Sequence, residues 1–115
     1  MKTVNRNELW GWIQAKEKVT IVGAQSQEDF DKSHLPSAIR IEKSVVDTLA
    51  PQLLTDKNAR IVVYCADLEC QASPFVAGRL IELGYTNVFD YREGMADWTK
   101  AGHPVEMVKQ AVLTA

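Results

Sequence analysis

The sequence predicts a single α/β domain with a mainly parallel central sheet and helices on both of its faces. Three observations carry that expectation. Short apolar runs (Val19–Val22, Ala38–Ile41, Ile61–Tyr64 and Asn87–Tyr91) alternate with segments of helical periodicity, the pattern of β-α-β units. No hairpin signal lies between the runs. The run Ile61-Val62-Val63-Tyr64 is apolar without alternation, as expected of a strand covered on both faces. A length of 115 residues fits one domain able to bury its own core.

Each element has a local cause. Asn5 followed by Glu8 forms a capping box, so Leu9, Trp10 and Ile13 stripe a first helix running to about Lys16. Val19–Val22 is a buried strand, and Ser26 with Asp29 starts a short helix that carries Phe30. His34-Leu35-Pro36-Ser37 breaks that helix before the strand Ala38–Ile41. Val45, Val46, Leu49 and Leu53 repeat at helical spacing between Ser44 and Leu54, with Pro51 set to bend or end the helix. Thr55–Asn58 is a polar turn into the central strand. Ser73-Pro74 is a favoured helix start; Val76, Leu80 and Leu83 follow, and Gly84 stops the helix. After the strand Asn87–Tyr91, Arg92-Glu93-Gly94 reads as a loop and Met95–Lys100 as a short helix ended by Ala101-Gly102. Val105, Val108 and Val112 fall on one face of an expected terminal helix, so the domain core spans about 7–106 with a helical tail over 107–115.

Composition narrows the function classes. The chain is 46% hydrophobic and 24% charged with net charge −2, and it lacks the Lys/Arg runs of nucleic-acid or membrane-surface binders. No apolar segment approaches the roughly 18 residues that cross a bilayer. The N-terminal stretch lacks the apolar core of a signal peptide, so a cytoplasmic location is expected. In a reducing compartment the two cysteines are expected to be free or catalytic rather than a structural disulfide. They have no second ligand pair to complete a zinc site, and no phosphate loop, nucleophile elbow or His-Glu-x-x-His motif is present. No cofactor and no metal are expected.

Cys65 closes the central strand and faces a loop that feeds a helix N-terminus. Ligands of open parallel sheets bind at this carboxyl edge, where loop N–H groups and the helix dipole favour an anion. A helix N-terminus can lower a cysteine pKa from about 8.5 into the range of roughly 3.5–7.5, which makes a nucleophile of the thiol. The alternative is that Cys65 simply ends a buried strand as a small apolar residue. Position alone leaves both readings open.

Four stretches then carry a resemblance. They are Ser26-Gln27-Glu28-Asp29-Phe30 running on to His34-Leu35-Pro36-Ser37-Ala38-Ile39; Val62-Val63-Tyr64-Cys65; Ala77-Gly78-Arg79-Leu80 through Leu83-Gly84-Tyr85 and Asn87-Val88; and Glu93-Gly94-Met95-Ala96-Asp97-Trp98 with Ala101-Gly102-His103-Pro104-Val105-Glu106. From about Asn7 to Glu106 the sequence resembles the rhodanese-like family of sulfurtransferase domains. The resemblance implies the rhodanese-like fold, with Cys65 as the nucleophile that accepts sulfane sulfur as a persulfide and passes it to a second nucleophile. It also implies Ala66, Asp67, Leu68, Glu69, Gln71, Ala72 and Ser73 as the substrate-binding loop.

The sequence departs from the family pattern at several points. The loop holds two carboxylates and no basic residue, so an anionic donor is repelled unless Arg40, Arg79 or Arg92 reaches the site. Gly23 and Gln25 stand where the family usually has an aspartate and an arginine after the first strand, so a supporting polar contact is expected to be missing. Ser37 replaces a glycine. Gln71 stands where related dual-specificity phosphatases place a phosphate-gripping arginine, which argues against phosphatase chemistry.

Cys70, five residues from Cys65, is a candidate resolving cysteine that would attack a persulfide or sulfenate on Cys65 and form a disulfide. Its alternative role is a small apolar plug packing the loop against the sheet. His34 reads as a structural hydrogen-bonding residue rather than a base, His103 as a solvated turn residue, and Trp10, Trp12 and Trp98 as core or partly buried surface rather than a stacking platform. The expected function is sulfur carriage on Cys65, with a persulfide preferred over thiosulfate as donor. The expected partners are a small-molecule or protein sulfur donor and a thiol acceptor, with no nucleic acid and no membrane. The competing expectation is a non-catalytic or redox-sensing interaction module that uses the Cys65/Cys70 pair.

Overall fold

The structure is a computed structural model and describes residues 2–108. A five-stranded, wholly parallel sheet has strand order β1-β5-β4-β2-β3. The strands are β1 (Lys2–Thr3), β2 (Thr20–Gly23), β3 (Ile39–Arg40), β4 (Ile61–Tyr64) and β5 (Val88–Tyr91). The helices are α1 (Arg6–Gln14), α2 (Gln27–Lys32), α3 (Val46–Leu53, preceded by a 3₁₀ turn at Lys43–Val45), α4 (Ala72–Glu82) and α5 (Gly94–Lys100). Two of the three predicted N-caps are made. Asn5 and Glu8 form the reciprocal capping box of α1, and the Ser26 hydroxyl accepts from the Asp29 amide at the start of α2.

β4 lies in the middle of the sheet with all four of its residues fully buried. Strand alternation sorts its side chains between two cores. Ile61 and Val63 join Val46, Ala50, Val76 and Leu80 of α3 and α4, whereas Val62 and Tyr64 join Leu9 of α1 and Trp98 of α5. Burying a side chain of this size contributes about 1.5–3 kcal/mol. The same alternation sends Cys65, the next odd position, toward α4.

Several expectations are corrected. Lys2–Thr3 is an edge strand on β5 with no apolar signature, since both residues are exposed. α3 continues through Pro51 to Leu53. The helix after β4 begins at Ala72 rather than after a Ser73 cap; Ser73 is its second residue and Pro74 its third. Proline costs nothing there, because the first four helical N–H groups have no intrahelical partner. Residues 104–108 of the tail form no helix. Glu106 instead makes an isolated antiparallel bridge with His34, and the rest of the expected helix lies outside the described residues. His103 is not solvated: the turn after α5 lays its ring on Trp10, with centroids 4.4 Å apart, and beside Trp98 at 4.7 Å. Trp98 is fully buried, and Trp10 and Trp12 are half-buried against the same core.

Gly94 fastens α5 to the central strand. Its φ of 62° is in the left-handed region, and a Cβ there would overlap the Cys65 carbonyl oxygen. The close approach lets the amides of Met95 and Ala96 donate to the carbonyls of Cys65 and Ala66, each at 2.9 Å. Gly94→Ala is therefore expected to cost at least ~2 kcal/mol of unfolding free energy in urea denaturation; a loss below ~0.5 kcal/mol would contradict the close approach.

Candidate active site

Cys65 is 3% exposed at the carboxyl end of β4, where its sulfur accepts the Ser73 amide hydrogen at 3.3 Å. This bond explains the early start of α4. Among the described residues Gln71, at the N-cap position, makes no side-chain cap. The sulfur occupies the acceptor position that a Ser or Asp side chain fills in an ordinary cap, at the positive end of the helix dipole. The buried Ser73 hydroxyl faces the Asp90 carboxyl.

Cys70 is bonded to Cys65 in a disulfide whose Cα atoms are 6.4 Å apart, within the usual span of such bridges. The two thiols are thus not free, and the pairing is the one that a resolving Cys70 would make. The loop Ala66–Gln71 folds so tightly that five residues of separation bring the sulfurs together. Asp67 shapes it: its Oδ1 accepts the amides of Glu69 at 3.0 Å and Cys70 at 3.2 Å. Arg92 braces it from the far side, with Nη2 donating to the Leu68 carbonyl at 2.9 Å. Ala66, Asp67, Leu68, Glu69 and Gln71 are exposed, Ala72 is half-buried and Ser73 is buried.

An open cleft of about 390 Å³ lies over the disulfide, lined by Cys65, Ala66 and Cys70 together with Ala24, Gln25, Ser26, Asp29, Ser33 and Met95. The far wall comes from the β2–α2 segment; Gln25 is expected there only as a family support position, and Ser26, Asp29 and Ser33 carry no local signal that joins them to a loop so distant in the chain. Among the described residues no lysine or arginine side chain lines the cleft. Arg79 pairs with both carboxylate oxygens of Asp47 at 2.7 and 2.9 Å, Arg40 pairs with Glu42 at 2.9 Å and reaches the carbonyl of cleft-lining Gln25 at 3.5 Å, and Arg92 holds the loop backbone.

The aspartate–arginine contact usual in the family is absent at Gly23 and Gln25, and Gln25 supplies a different, neutral support. The Tyr64 hydroxyl donates to Gln25 Oε1 at 2.7 Å and accepts the Leu35 amide at 3.1 Å, while Gln25 Nε2 donates to the Ser33 carbonyl at 3.1 Å. A neutral buried network therefore ties Ser33–Leu35 to the ends of β2 and β4. It requires glycine at 23, since a Cβ there would lie 2.6 Å from Gln25 Oε1 and 2.9 Å from the Tyr64 hydroxyl. Burial raises the Tyr64 pKa and keeps its proton available for the bond. His34 is structural: its ring stacks on Phe30, its Nδ1–H donates to the Phe30 carbonyl at 2.7 Å, and it does not line the cleft.

Beneath the α4 N-terminus, Asp90 of β5 is 1% exposed. Its Oδ1 has no partner, and Oδ2 is 3.9 Å from Arg92 Nε. Burial raises the Asp90 pKa. The folded state thus holds the Asp90 proton to higher pH than the unfolded chain, so this group's contribution to stability falls as pH rises above the ordinary aspartate value. The stability advantage of Asp90→Asn over the parent is expected to grow as pH rises from about 4 toward neutrality. Thermal unfolding across that range checks it, and a pH-independent difference would contradict it.

These features define a class: a parallel α/β domain with a cysteine at the carboxyl edge of its central strand, held against the N-terminus of the following helix. The chain belongs to the rhodanese-like domain family, whose model matches residues 5–101. It is 31% identical over 103 residues to the HTH-type transcriptional regulator Rv0324 of Mycobacterium tuberculosis, covering 90% of this chain and 44% of that protein. It is 28% identical over 111 residues to the uncharacterized protein YibN of Escherichia coli (strain K12), covering 95% and 73%. The chain thus spans less than half the length of the first of these relatives. Among solved structures, the BH2092 protein from Bacillus halodurans superposes with a TM-score of 0.84 at 23% identity, covering 92% of this chain and 77% of that one. Thiosulfate sulfurtransferase from Pseudomonas aeruginosa superposes at 0.75 and 21% identity, over 95% of this chain and 21% of that one. At these identities the structural likeness speaks to the fold.

Proposed function

We propose that the domain carries sulfane sulfur as a persulfide on Cys65, taking it from a low-molecular-weight or protein persulfide and passing it to a thiol acceptor. The observation that carries this reading is the Ser73 N–H directed at the Cys65 sulfur from the N-terminus of α4, within an open cleft. In the reduced protein that donor and the helix dipole stabilise a thiolate. The thiolate attacks the outer sulfur of the donor, a bond forms from Cys65 Sγ to that sulfur, and the donor's S–S bond breaks with its electron pair leaving on the donor thiolate. An acceptor thiolate then attacks the outer sulfur and regenerates Cys65. The same N–H stabilises the sulfur whenever it bears charge.

The charge of the cleft supports a persulfide over thiosulfate. Asp29 is on the wall and the loop carries Asp67 and Glu69, whereas Arg79 is paired with Asp47, Arg40 is shared between Glu42 and the Gln25 carbonyl, and Arg92 is committed to the Leu68 carbonyl. Each like-charge approach to about 4 Å costs ~1 kcal/mol even in water, and thiosulfate concentrates two negative charges at its reacting end, where a persulfide brings at most one. The reduced Cys70→Ser protein is expected to gain about 32 Da, one sulfur, from glutathione persulfide and little from thiosulfate, with the gain absent when Cys65 is also replaced by Ser. Intact-mass analysis reads this directly. Uptake from neither donor would overturn the proposal.

The disulfide favours a second reading, a redox-sensing module. On that reading the reduced protein never gains sulfur and responds to oxidants only by losing two hydrogens.

A further inference from the structure

We infer that the domain has a second activity, the reductive release of hydrosulfide from the persulfide it carries, with Cys70 as the second catalytic residue. This rests on sulfur carriage by Cys65 and adds the fate of the sulfur when no acceptor takes it. The loop is braced with Cys70 over the nucleophile: Asp67 Oδ1 holds the Glu69 and Cys70 amides, Arg92 holds the Leu68 carbonyl, and the two sulfurs are bonded. The bond reaches Cys65 Sγ itself, the inner sulfur of a persulfide at that position.

The chemistry balances in two displacements. The Cys70 thiolate attacks Cys65 Sγ, the bond from Sγ to the outer sulfur breaks, and hydrosulfide leaves with the electron pair. The product is the disulfide found in the structure. An external dithiol, supplied by a protein or small-molecule reductant, then provides two electrons and returns both cysteines to thiols. Its point of entry is set by exposure. Cys65 is 3% exposed and hydrogen-bonded to the Ser73 amide, whereas Cys70 is half-exposed on the cleft. The incoming thiolate therefore attacks Cys70 Sγ. Cys65 departs as the thiolate, because the Ser73 N–H and the α4 dipole favour charge there and a stabilised thiolate leaves faster. The reductant's second thiolate displaces its first from Cys70. The net reaction converts a persulfide and a dithiol into a thiol, hydrogen sulfide and a disulfide.

Two measurements on the full chain test this. In the first, reduced protein is treated with one equivalent of glutathione persulfide, and sulfide and intact mass are followed together. The parent is expected to release one sulfide per domain and end two hydrogens lighter than the reduced form, whereas Cys70→Ser stays about 32 Da heavier and releases none. Sulfide release from Cys70→Ser at the parent rate, or a parent that keeps its added sulfur, would overturn the inference while leaving sulfur carriage standing. Absence of added sulfur in Cys70→Ser together with absence of sulfide from the parent would overturn both. In the second, the disulfide form is opened with glutathione in the presence of iodoacetamide and the cysteines are mapped. Glutathione is expected on Cys70 and the alkyl group on Cys65; the reverse distribution would overturn the assigned entry point.

Discussion

The Cys65 sulfur accepts the Ser73 amide hydrogen at 3.3 Å, and both the helix and the chemistry of the site follow from that contact. α4 begins at Ala72 with no side-chain cap at Gln71, so the sulfur takes the place of one. The same N–H and helix dipole that a cap satisfies are what a thiolate needs. Structural and chemical roles of Cys65 are therefore one interaction seen from two sides. Strand alternation makes it possible, because Ile61, Val63 and Cys65 share the α4 face of β4.

The surroundings hold that contact without positive charge. Gly94 brings α5 against the Cys65 carbonyl, and Tyr64, Gln25 and Gly23 tie the opposite wall through neutral hydrogen bonds. A buried network of this kind is rigid when fully paired, and here the Tyr64 hydroxyl both donates and accepts. Among the described residues the lining of that cleft presents Asp29 and no arginine side chain, which is the physical basis for favouring a persulfide donor over thiosulfate.

Much of the fold was legible because its signals are local. The capping box at Asn5, the Ser26 cap, the unbroken apolar run of β4 and the glycine after α4 each act within a few residues, and each matches the structure. What was not legible depends on contacts distant in sequence. Lys2–Thr3 becomes a strand only because β5 offers an edge. Ser73 loses the capping role to a sulfur eight residues away, and the Tyr64–Gln25 bond joins residues 39 apart. Spacing placed Cys65 and Cys70 in one loop but left the direction of their side chains open; Asp67 and Arg92 set it. His103 likewise reads as an exposed turn residue until α5 delivers it to Trp10.

The central claim is that the Cys65 sulfur is held where charge is stabilised. Its most direct test is the alkylation rate of reduced Cys70→Ser protein by iodoacetamide at about pH 6.5, where an ordinary thiol of pKa near 8.5 is only about 1% ionised. The account predicts that Cys65 reacts faster than an unstructured cysteine peptide, and that urea abolishes the advantage as β4 and α4 separate. A rate equal to or below the peptide's in the folded protein would contradict it.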